Sequence, residues 1–301
     1  MHRYQNLTVG LARTAADAGL IRYAAMVARL GTVTKVSFVH VLPNAVDPLS
    51  APNHDGALAE LQAEVQLHFT DVPQTAQVSY DVLQGPLVDQ LLAYVAGKQV
   101  DLLLVGHKIE TPGRKALARR LAMKAPCSVW MVPENFPPAL TRILVPIDFS
   151  EHAADSMRVA TSMARLSGHA ECLALHVYLN EADITYEEYV QVLRGEEEQA
   201  YQKFIAPINC QGVKITPLIE PGVNVGHVIS RTAEQQGVDL IVMATRGRSS
   251  SAAILLGSVT EQMIMETRVP LVAVKHFGAQ MGVLEVLLNR RFWHGRPVQT
   301  G

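Results

Sequence analysis

The sequence predicts an α/β protein made of two tandem doubly wound domains, each with a five-stranded parallel sheet flanked by helices. Three observations lead to this prediction. Short apolar, β-branched runs alternate with longer segments whose apolar residues recur at three- and four-residue steps. The chain has 301 residues, which suits two domains of ordinary size. Its two halves also repeat each other over a length that indicates a duplicated domain rather than a solenoid.

The repeat is clearest around the second predicted strand of each half. Residues 29–44 align without a gap with residues 165–180, and both segments carry a His-Val pair at the strand end. Leu7–Val9 and Ile143–Val145 fall at the same offset of 136 residues. A short linker containing three prolines joins the halves, so the domains are expected to lie side by side. The predicted parts are a first domain at residues 1–133, a second at 141–276 and a tail at 277–301.

The elements of each half follow from these patterns. Ser150 followed by Glu151 has the form of a helix N-cap with an acidic residue in the first turn. In the first half, strands are expected near Leu7, Val36, Val78, Leu102 and Val129, with helices between them. In the second half, the predicted strands are Arg142–Pro146, Cys172–Val177, Ile215–Ile219, Asp239–Ala244 and Leu271–Val274, and the predicted helices are Ser150–Ser167, Tyr186–Ile208, Asn224–Gln236 and Ser258–Thr267.

The tail after Phe277 has no counterpart in the first half. Met281, Leu284 and Leu288 lie on one stripe and predict a short amphipathic helix that ends near Trp293. A helix docked on this protein or on a second copy is one interpretation, and a helix facing a partner or a membrane surface is the other.

Composition restricts the class of protein. The net charge of -2 favours neither nucleic acid nor an anionic membrane as a partner. The 3 cysteines show no CxxC spacing and the 11 histidines form no metal-like cluster, so neither a zinc site nor a disulfide framework is expected. No apolar run approaches the roughly 20 residues of a membrane span, and the N-terminus lacks a signal core. These features predict a soluble, cytoplasmic protein.

Three strands of the second half end at residues that a parallel sheet brings to one edge. Asp148 follows the first strand, Val177 ends the second and Ala244 ends the fourth. Open parallel sheets bind ligands beyond the carboxyl ends of their strands, near the switch in strand order. The three residues are therefore expected to line one crevice.

The loop after the fourth strand has features of a phosphate-binding loop. Gly247 permits close approach of the backbone. The helix that starts at Gly257 and Ser258 offers free N–H groups and a partial positive charge to an anion. Ser258-x-x-Glu261 also has the form of a capping box, and an ordinary capped helix after a surface loop is the alternative interpretation. Further donors or positive charge are expected from Ser258, Thr260, Arg246 and Arg248.

These segments resemble those of a known family. The spacing Ala244-x2-Gly247-x9-Gly257-Ser258 resembles the G-x2-G-x9-G-[ST] nucleotide loop of universal stress proteins, with alanine at the first glycine. Residues 143–151 and 175–177 resemble the family's first strand and turn and its second strand. The resemblance implies a fold that binds ATP, with or without Mg²⁺. It implies that Asp148 and Val177 contact adenosine, and that ribose and phosphates are surrounded by Ala244, Gly247, Arg248, Gly257, Ser258, Val259 and Thr260.

The first half departs from this pattern. Ala12 stands at the position of Asp148, and Arg114 stands at the position of Ser258. Ile109 falls where the loop glycine is expected, and the loop is six residues shorter. The first half is therefore expected not to bind ATP in the manner of the family.

The resemblance also implies how the two domains pair. Universal stress proteins dimerise through their last strand, so Ser128–Val132 and Pro270–Lys275 are expected to pair within the chain. An apolar edge strand left unpaired would favour aggregation. A homodimer of the whole chain and an unidentified protein partner are further expectations.

The sequence favours binding over catalysis. It contains no Ser-His-Asp order, paired-carboxylate arrangement or GxxxxGK[ST] loop. A site that holds ATP without a matching metal carboxylate and a placed base suits binding rather than turnover. The sequence thus predicts a stress-response protein, not an enzyme, whose ATP-bound state regulates a partner. A nucleotide-free adaptor or structural protein is one alternative. Slow ATP hydrolysis or self-phosphorylation on Ser258 or Thr260 is the other.

Overall fold

The computed structural model describes residues 4–44, 53–107, 114–178, 187–210, 212–247 and 256–275, so the predicted tail helix lies outside the described residues. Within these ranges, strands and helices alternate along the chain as predicted. The first domain contains β1 (Asn6–Leu11), α1 (Asp17–Arg29), β2 (Lys35–Leu42), α2 (His54–His68), β3 (Gln77–Gln84), α3 (Leu87–Gly97), β4 (Leu102–His107), α4 (Arg114–Lys124) and β5 (Ser128–Pro133). The second contains β6 (Arg142–Ile147), α5 (Glu151–Ser167), β7 (Glu171–Tyr178), α6 (Glu187–Ile205), β8 (Ile215–Pro221), α7 (Val225–Gln235), β9 (Leu240–Ala244), α8 (Ser258–Glu266) and β10 (Leu271–Val274).

The strands form one continuous sheet in the order β3-β2-β1-β4-β5-β10-β9-β6-β7-β8. Within each domain every pair of neighbouring strands is parallel, which confirms the two predicted doubly wound sheets. The two sheets join through their last strands, β5 and β10. These strands run antiparallel, with Trp130 opposite Val272. The expected pairing of the last strands is therefore present within the chain.

Two apolar cores cover the two faces of this sheet. Alternate residues of a strand point to opposite faces, as β4 illustrates. Leu102 and Leu104 join the core beneath α1, α2, α5 and α6, whereas Leu103 and Val105 join the core beneath α3, α4, α7 and α8. Each core includes residues of both domains. The halves are therefore continuous in their packing as well as in their hydrogen bonding.

The domain boundary is packed around a large aromatic side chain. Trp130 of β5 is fully buried and meets Tyr23 of α1 edge-on, with ring centroids 6.1 Å apart. The Tyr23 hydroxyl donates a hydrogen bond of 2.8 Å to the carbonyl of Pro137 in the linker. The hydrogen bond fixes the linker against the first domain, and the ring contact fixes α1 against β5.

The cap of α5 follows from the local sequence, whereas the start of α8 also depends on a neighbouring helix. The Ser150 side chain caps α5 by accepting from the backbone N–H of Ala153, as the sequence predicts. The predicted capping box of α8 is wrong, because Gly257 is the N-cap and Ser258 is the first helical residue. Glu261 instead forms a 2.6 Å ion pair with Arg119 of α4. The contact between α4 and α8 across the domain boundary, which no local pattern reveals, gives this carboxylate its partner.

None of the helices in the described ranges has the length and apolar character needed to cross a membrane.

Candidate functional site

The switch in strand order of the second domain lies between β6 and β9. The described ladder between them ends at Leu144 opposite Ile241, whereas the matching ladder of the first domain continues to Gly10 opposite Val105. Pro146 occupies the position of Gly10 and has no N–H to donate to a neighbouring strand. The carboxyl ends of β6 and β9 therefore extend beyond their pairing, at the place where an open α/β sheet binds its ligand.

Asp148 is oriented by the start of α5. Its Oδ1 atom accepts hydrogen bonds from the backbone N–H of Ser150 at 3.1 Å and from the Ser150 hydroxyl at 2.5 Å. The Oδ2 atom faces the loop after β9, and a Cβ built on Gly247 would lie 2.8 Å from it. Two residues that the sequence assigns to one site thus lie in contact, although one follows β6 and the other follows β9.

Two hydrogen bonds close the base of the loop between β9 and α8. The backbone N–H of Gly257 donates to the carbonyl of Thr245 at 2.7 Å. The Thr260 hydroxyl donates to the carbonyl of Ala244 at 2.8 Å. Thr260 is buried, so its hydroxyl hydrogen holds the helix start against the strand end rather than pointing outward. The sequence predicted that this hydroxyl could donate to a bound anion, whereas in the structure it donates to the Ala244 carbonyl and positions the loop.

The start of α8 presents backbone rather than side chain. Gly257 has an extended conformation, with φ -75° and ψ 150°, and provides no side-chain cap. Ser258 is exposed and Val259 is half-buried. The first N–H groups of a helix have no partner within the helix, so this end carries donors and a partial positive charge. Such an end is suited to an anion.

Glycine at position 257 is not required by the chain itself. Its φ is negative, and a Cβ there would make ordinary contacts of 3.6 Å with the Thr245 carbonyl oxygen and 3.7 Å with the Arg246 α-carbon. Neither the backbone conformation nor packing against the described residues therefore accounts for the missing side chain.

Val177 lies half-buried at the carboxyl end of β7, as predicted. It packs beside Gly222, where an added Cβ would be 3.4 Å from Val177 Cγ1 and 2.5 Å from Val228 Cγ2. The sequence reasoning missed Gly222. Its only local signal is its place directly after Pro221 at the end of β8, and its closeness to Val177 depends on the sheet.

His176 is held on three sides. Its Nδ1 atom lies 2.9 Å from the Ile147 carbonyl oxygen, and its Nε2 atom lies 3.1 Å from Glu197 Oε2. Its ring stacks on Phe149, with centroids 4.2 Å apart. His40 makes the same Nδ1 contact, 2.9 Å from the Leu11 carbonyl oxygen in the first domain. Both histidines thus fix neighbouring strand ends, which is a structural role. The Glu197 partner has no sequence signal, because it depends on how α6 crosses β7.

Positive charge gathers beside the loop at the domain boundary. Arg246 is half-buried, and Lys275 follows β10. Burial and, to a smaller extent, the charge of Arg246 lower the pKa of Lys275 to about 8. The Lys275 ammonium donates to the carbonyl of Met123 in α4 at 3.0 Å. Arg248, predicted to contribute to the same site, lies outside the described residues.

The described part of the chain offers no obvious centre for metal or thiol chemistry. It contains no group of three or more His, Cys, Asp or Glu side chains that are arranged to hold a metal ion. Cys127, Cys172 and Cys210 are free, and burial raises the pKa of the Cys127 and Cys172 thiols to about 12. These two buried thiols remain protonated near neutral pH.

Two doubly wound halves that share one sheet through their last strands define a tandem α/β protein with a crevice at each switch in strand order. The sequence model described as the universal stress protein family matches residues 3–133 and again residues 140–275. The chain therefore belongs to the universal stress protein family.

Similar proteins match one domain or both. Universal stress protein MJ0577 of Methanocaldococcus jannaschii is 27% identical over 155 residues, which cover 44% of this chain and 94% of that protein. Universal stress protein MJ0531 of the same organism is 30% identical over 140 residues, covering 44% of this chain and 81% of that protein.

Solved structures resemble the whole chain in fold. A universal stress protein of Archaeoglobus fulgidus is 17% identical with a TM-score of 0.63, and the match covers 91% of this chain and 98% of that one. The functionally unknown protein PA1789 of Pseudomonas aeruginosa is 17% identical with a TM-score of 0.71, and the match covers 95% and 98%. These similarities support the tandem arrangement of the fold.

Proposed function

We propose that the second domain binds one molecule of ATP per chain, and that the ATP-bound state regulates contacts with a protein partner. The observation that carries this proposal is the convergence of the Asp148 carboxylate, Gly247 and the helix start at Gly257. These groups come from three separate elements and meet at the switch point of the sheet. The family resemblance of the loop assigns the same groups to a nucleotide.

Each part of the proposed site suits one part of the ligand. The Asp148 carboxylate is an acceptor-only group at the switch in strand order, which suits the hydroxyl and amino donors of adenosine. The uncapped start of α8 suits the phosphates, with backbone donors at Ser258 and Val259. A side chain at Gly257 would stand between the helix start and an approaching phosphate, which gives the glycine there a function that the fold alone does not.

The missing features of the first domain support a single site. Ala12 replaces the carboxylate of Asp148, and Ala116 takes the place of Thr260 when Gly113 is aligned with Gly257. Without these groups the first crevice has neither the adenosine acceptor nor the threonine that holds the loop.

Binding rather than turnover is part of the proposal. Asp148 is engaged by Ser150, and Glu197 is engaged by His176. A general base needs access to the proton that it removes, and these contacts restrict both carboxylates. Slow self-phosphorylation is the second candidate, because Ser258 is exposed at the helix start.

Isothermal titration calorimetry with ATP tests the proposal. One site per chain is expected in the wild type, together with a clear loss of affinity in Asp148→Asn. Asp55→Asn is the matched control, since Asp55 is exposed in the first turn of α2 and far from the crevice. Two equal sites per chain, or no binding, would contradict the proposal. A mass increase of one phosphate at Ser258 after incubation with Mg²⁺ and ATP would support self-phosphorylation.

The regulatory part requires its own measurement. Chemical crosslinking in cell extract should give partner bands that change when ATP is added to the wild type. The same bands should not respond to ATP in Asp148→Asn. If the bands responded to ATP equally in both proteins, ATP binding at this crevice would not be what regulates the partner contacts, and the regulatory part of the proposal would be wrong.

A further inference from the structure

The first domain contains a cavity of about 410 Å³ at the carboxyl ends of β1, β2, β4 and β5. It lies between α1 on one face of the sheet and α3 and α4 on the other, beside the start of the linker. This is the place that the candidate ATP crevice occupies in the second domain. The volume falls within the range of small-molecule pockets, roughly 300–1,000 Å³.

Small residues open this cavity where the second domain has larger or polar ones. Gly10 lines it at the position of Pro146, and Ala12 lines it at the position of Asp148. On the other side, Ala116 lines it where the aligned residue of α8 is Thr260. Each difference removes atoms from the crevice, and the change at Ala12 also removes a carboxylate that could bind a polar ligand. The first domain has thus lost a polar site and gained apolar space.

The interior of the cavity is formed by apolar side chains. Val39, Leu91 and Val105 are buried and line it from β2, α3 and β4. Gly10 keeps this region open, because a Cβ there would meet Val105 at 3.4 Å and Leu91 at 3.7 Å. A ligand in this region would exchange water for hydrocarbon contacts, which is favourable for apolar surface only.

Several polar groups on the lining already have protein partners. The buried Asp17 carboxylate accepts from the backbone N–H of Arg13 at 2.6 Å and, at longer range, from those of Ala12 and Thr14. His40 Nδ1 lies within hydrogen-bonding distance, 2.9 Å, of the Leu11 carbonyl oxygen. A ligand rich in hydrogen-bonding groups would lose its water here without gaining equivalent partners from these residues.

We propose that this cavity binds a small, predominantly apolar molecule that carries no phosphate. The two equivalent crevices of the chain would then bind different classes of ligand, an apolar molecule in the first domain and an anionic one in the second. The proposal does not depend on ATP binding, because it rests on the volume, lining and hydrogen bonding of the first domain alone. A triphosphate is unsuited to this cavity, because Arg120 is the only Lys or Arg side chain among its described lining residues, and its guanidinium already lies 3.7 Å from the Asp89 carboxylate.

The neutral fluorescent probe N-phenyl-1-naphthylamine tests the proposal on the full chain. Its emission rises in apolar surroundings, so titration should give a saturable increase with one probe per chain. ATP at saturating concentration should leave the signal unchanged, because the cavity and the ATP crevice are separate. No saturable increase, or displacement of the probe by ATP, would overturn the assignment of an apolar ligand to this cavity.

A pair of glycine variants locates the bound probe. Gly106 lines the cavity, its φ lies outside the left-handed range, and a built Cβ has nothing within 4 Å, so a leucine there has room to enter the cavity without a clash. Gly106→Leu should weaken probe binding about tenfold or more, because the leucine side chain would fill part of the cavity and cover apolar surface that the probe otherwise contacts. Gly97→Leu makes the same change at an exposed glycine outside the cavity, and it should bind the probe as the wild type does.

Thermal unfolding of both variants excludes a trivial loss of structure. Gly106→Leu should keep a cooperative transition and the helical circular dichroism of the wild type. A folded Gly106→Leu that binds the probe normally would overturn the proposal. If Gly106→Leu unfolded, Ala116→Leu would serve as the second variant, because Ala116 lines the cavity from the exposed side of α4. Normal probe binding by folded Ala116→Leu would then overturn it.

Discussion

The carboxylate of Asp148 lies so close to Gly247 that a Cβ on Gly247 would sit 2.8 Å from Oδ2. Unbonded heavy atoms avoid this distance, so glycine at position 247 is what allows the carboxylate its present orientation. The contact arises because β6 and β9 are neighbours at the switch in strand order. It joins the proposed adenosine end of the site to the proposed phosphate loop.

Gly247→Ala is therefore expected to displace Asp148 and to weaken ATP binding about tenfold or more, which corresponds to roughly 1.4 kcal/mol. Calorimetry measures the loss of affinity. Gly195→Ala is the control, because Gly195 lies in α6 with nothing within 4 Å of a built Cβ. Equal affinity in Gly247→Ala and the wild type would show that the orientation of Asp148 does not matter for the nucleotide.

Gly257→Val separates ligand binding from folding. The extended backbone and the ordinary contact distances at Gly257 predict a folded protein, with a cost of about 1 kcal/mol or less for the N-cap change. The branched side chain should abolish ATP binding by covering the start of α8. Calorimetry and thermal unfolding measured on the same sample check both parts.

Gly113→Val is the control for Gly257→Val, because Gly113 is the aligned residue of the first domain. Gly113 lies outside the described residues, so the choice rests on the sequence alignment alone. It should leave ATP binding unchanged. Loss of ATP binding in Gly113→Val, or its retention in Gly257→Val, would contradict assignment of the site to the second domain.

The second domain expressed alone, from Thr141 onward, is expected to self-associate. Removing the first domain leaves β10 unpaired on one side, and its residues Leu271, Val272 and Ala273 are almost completely buried in the full chain. An apolar edge strand with free backbone groups pairs readily with another copy. Analytical ultracentrifugation should show dimers or larger species at concentrations where the mass of the full chain is constant. A stable monomer would mean that β10 does not need a strand partner.

Lys275 predicts a pH dependence of stability. Burial lowers its pKa in the folded state to about 8 from the ordinary 10.5. Below pH 8 the lysine is charged in both states, and its burial opposes folding. Between pH 8 and 10.5 the unfolded chain binds more protons, so stability rises with pH. Relative to Lys275→Met, the free energy of unfolding of the wild type should rise by about 1 kcal/mol from pH 7 to pH 9. Urea unfolding of both proteins at the two pH values measures this difference, and a constant difference would contradict the lowered pKa.

The sequence by itself determines most of the elements and the fold class. Predicted and observed bounds agree at β10 (Leu271–Val274), and α5 begins directly after the predicted cap at Ser150. These features depend on residues within one or two turns of each other, so local periodicity and capping chemistry are sufficient to find them. The pairing of β5 with β10 also follows from the sequence, through the family resemblance and the duplication.

Only the tertiary structure decides what the same residues do in three dimensions. Glu261 serves an ion pair with Arg119 rather than the predicted capping box, and Thr260 directs its hydroxyl to Ala244. The cavity of the first domain was not predicted, because the sequence reveals which polar groups are missing but not the space that remains. Burial, ion pairing and cavity volume depend on segments distant in the chain, and those segments become neighbours only when the sheet and its helices assemble.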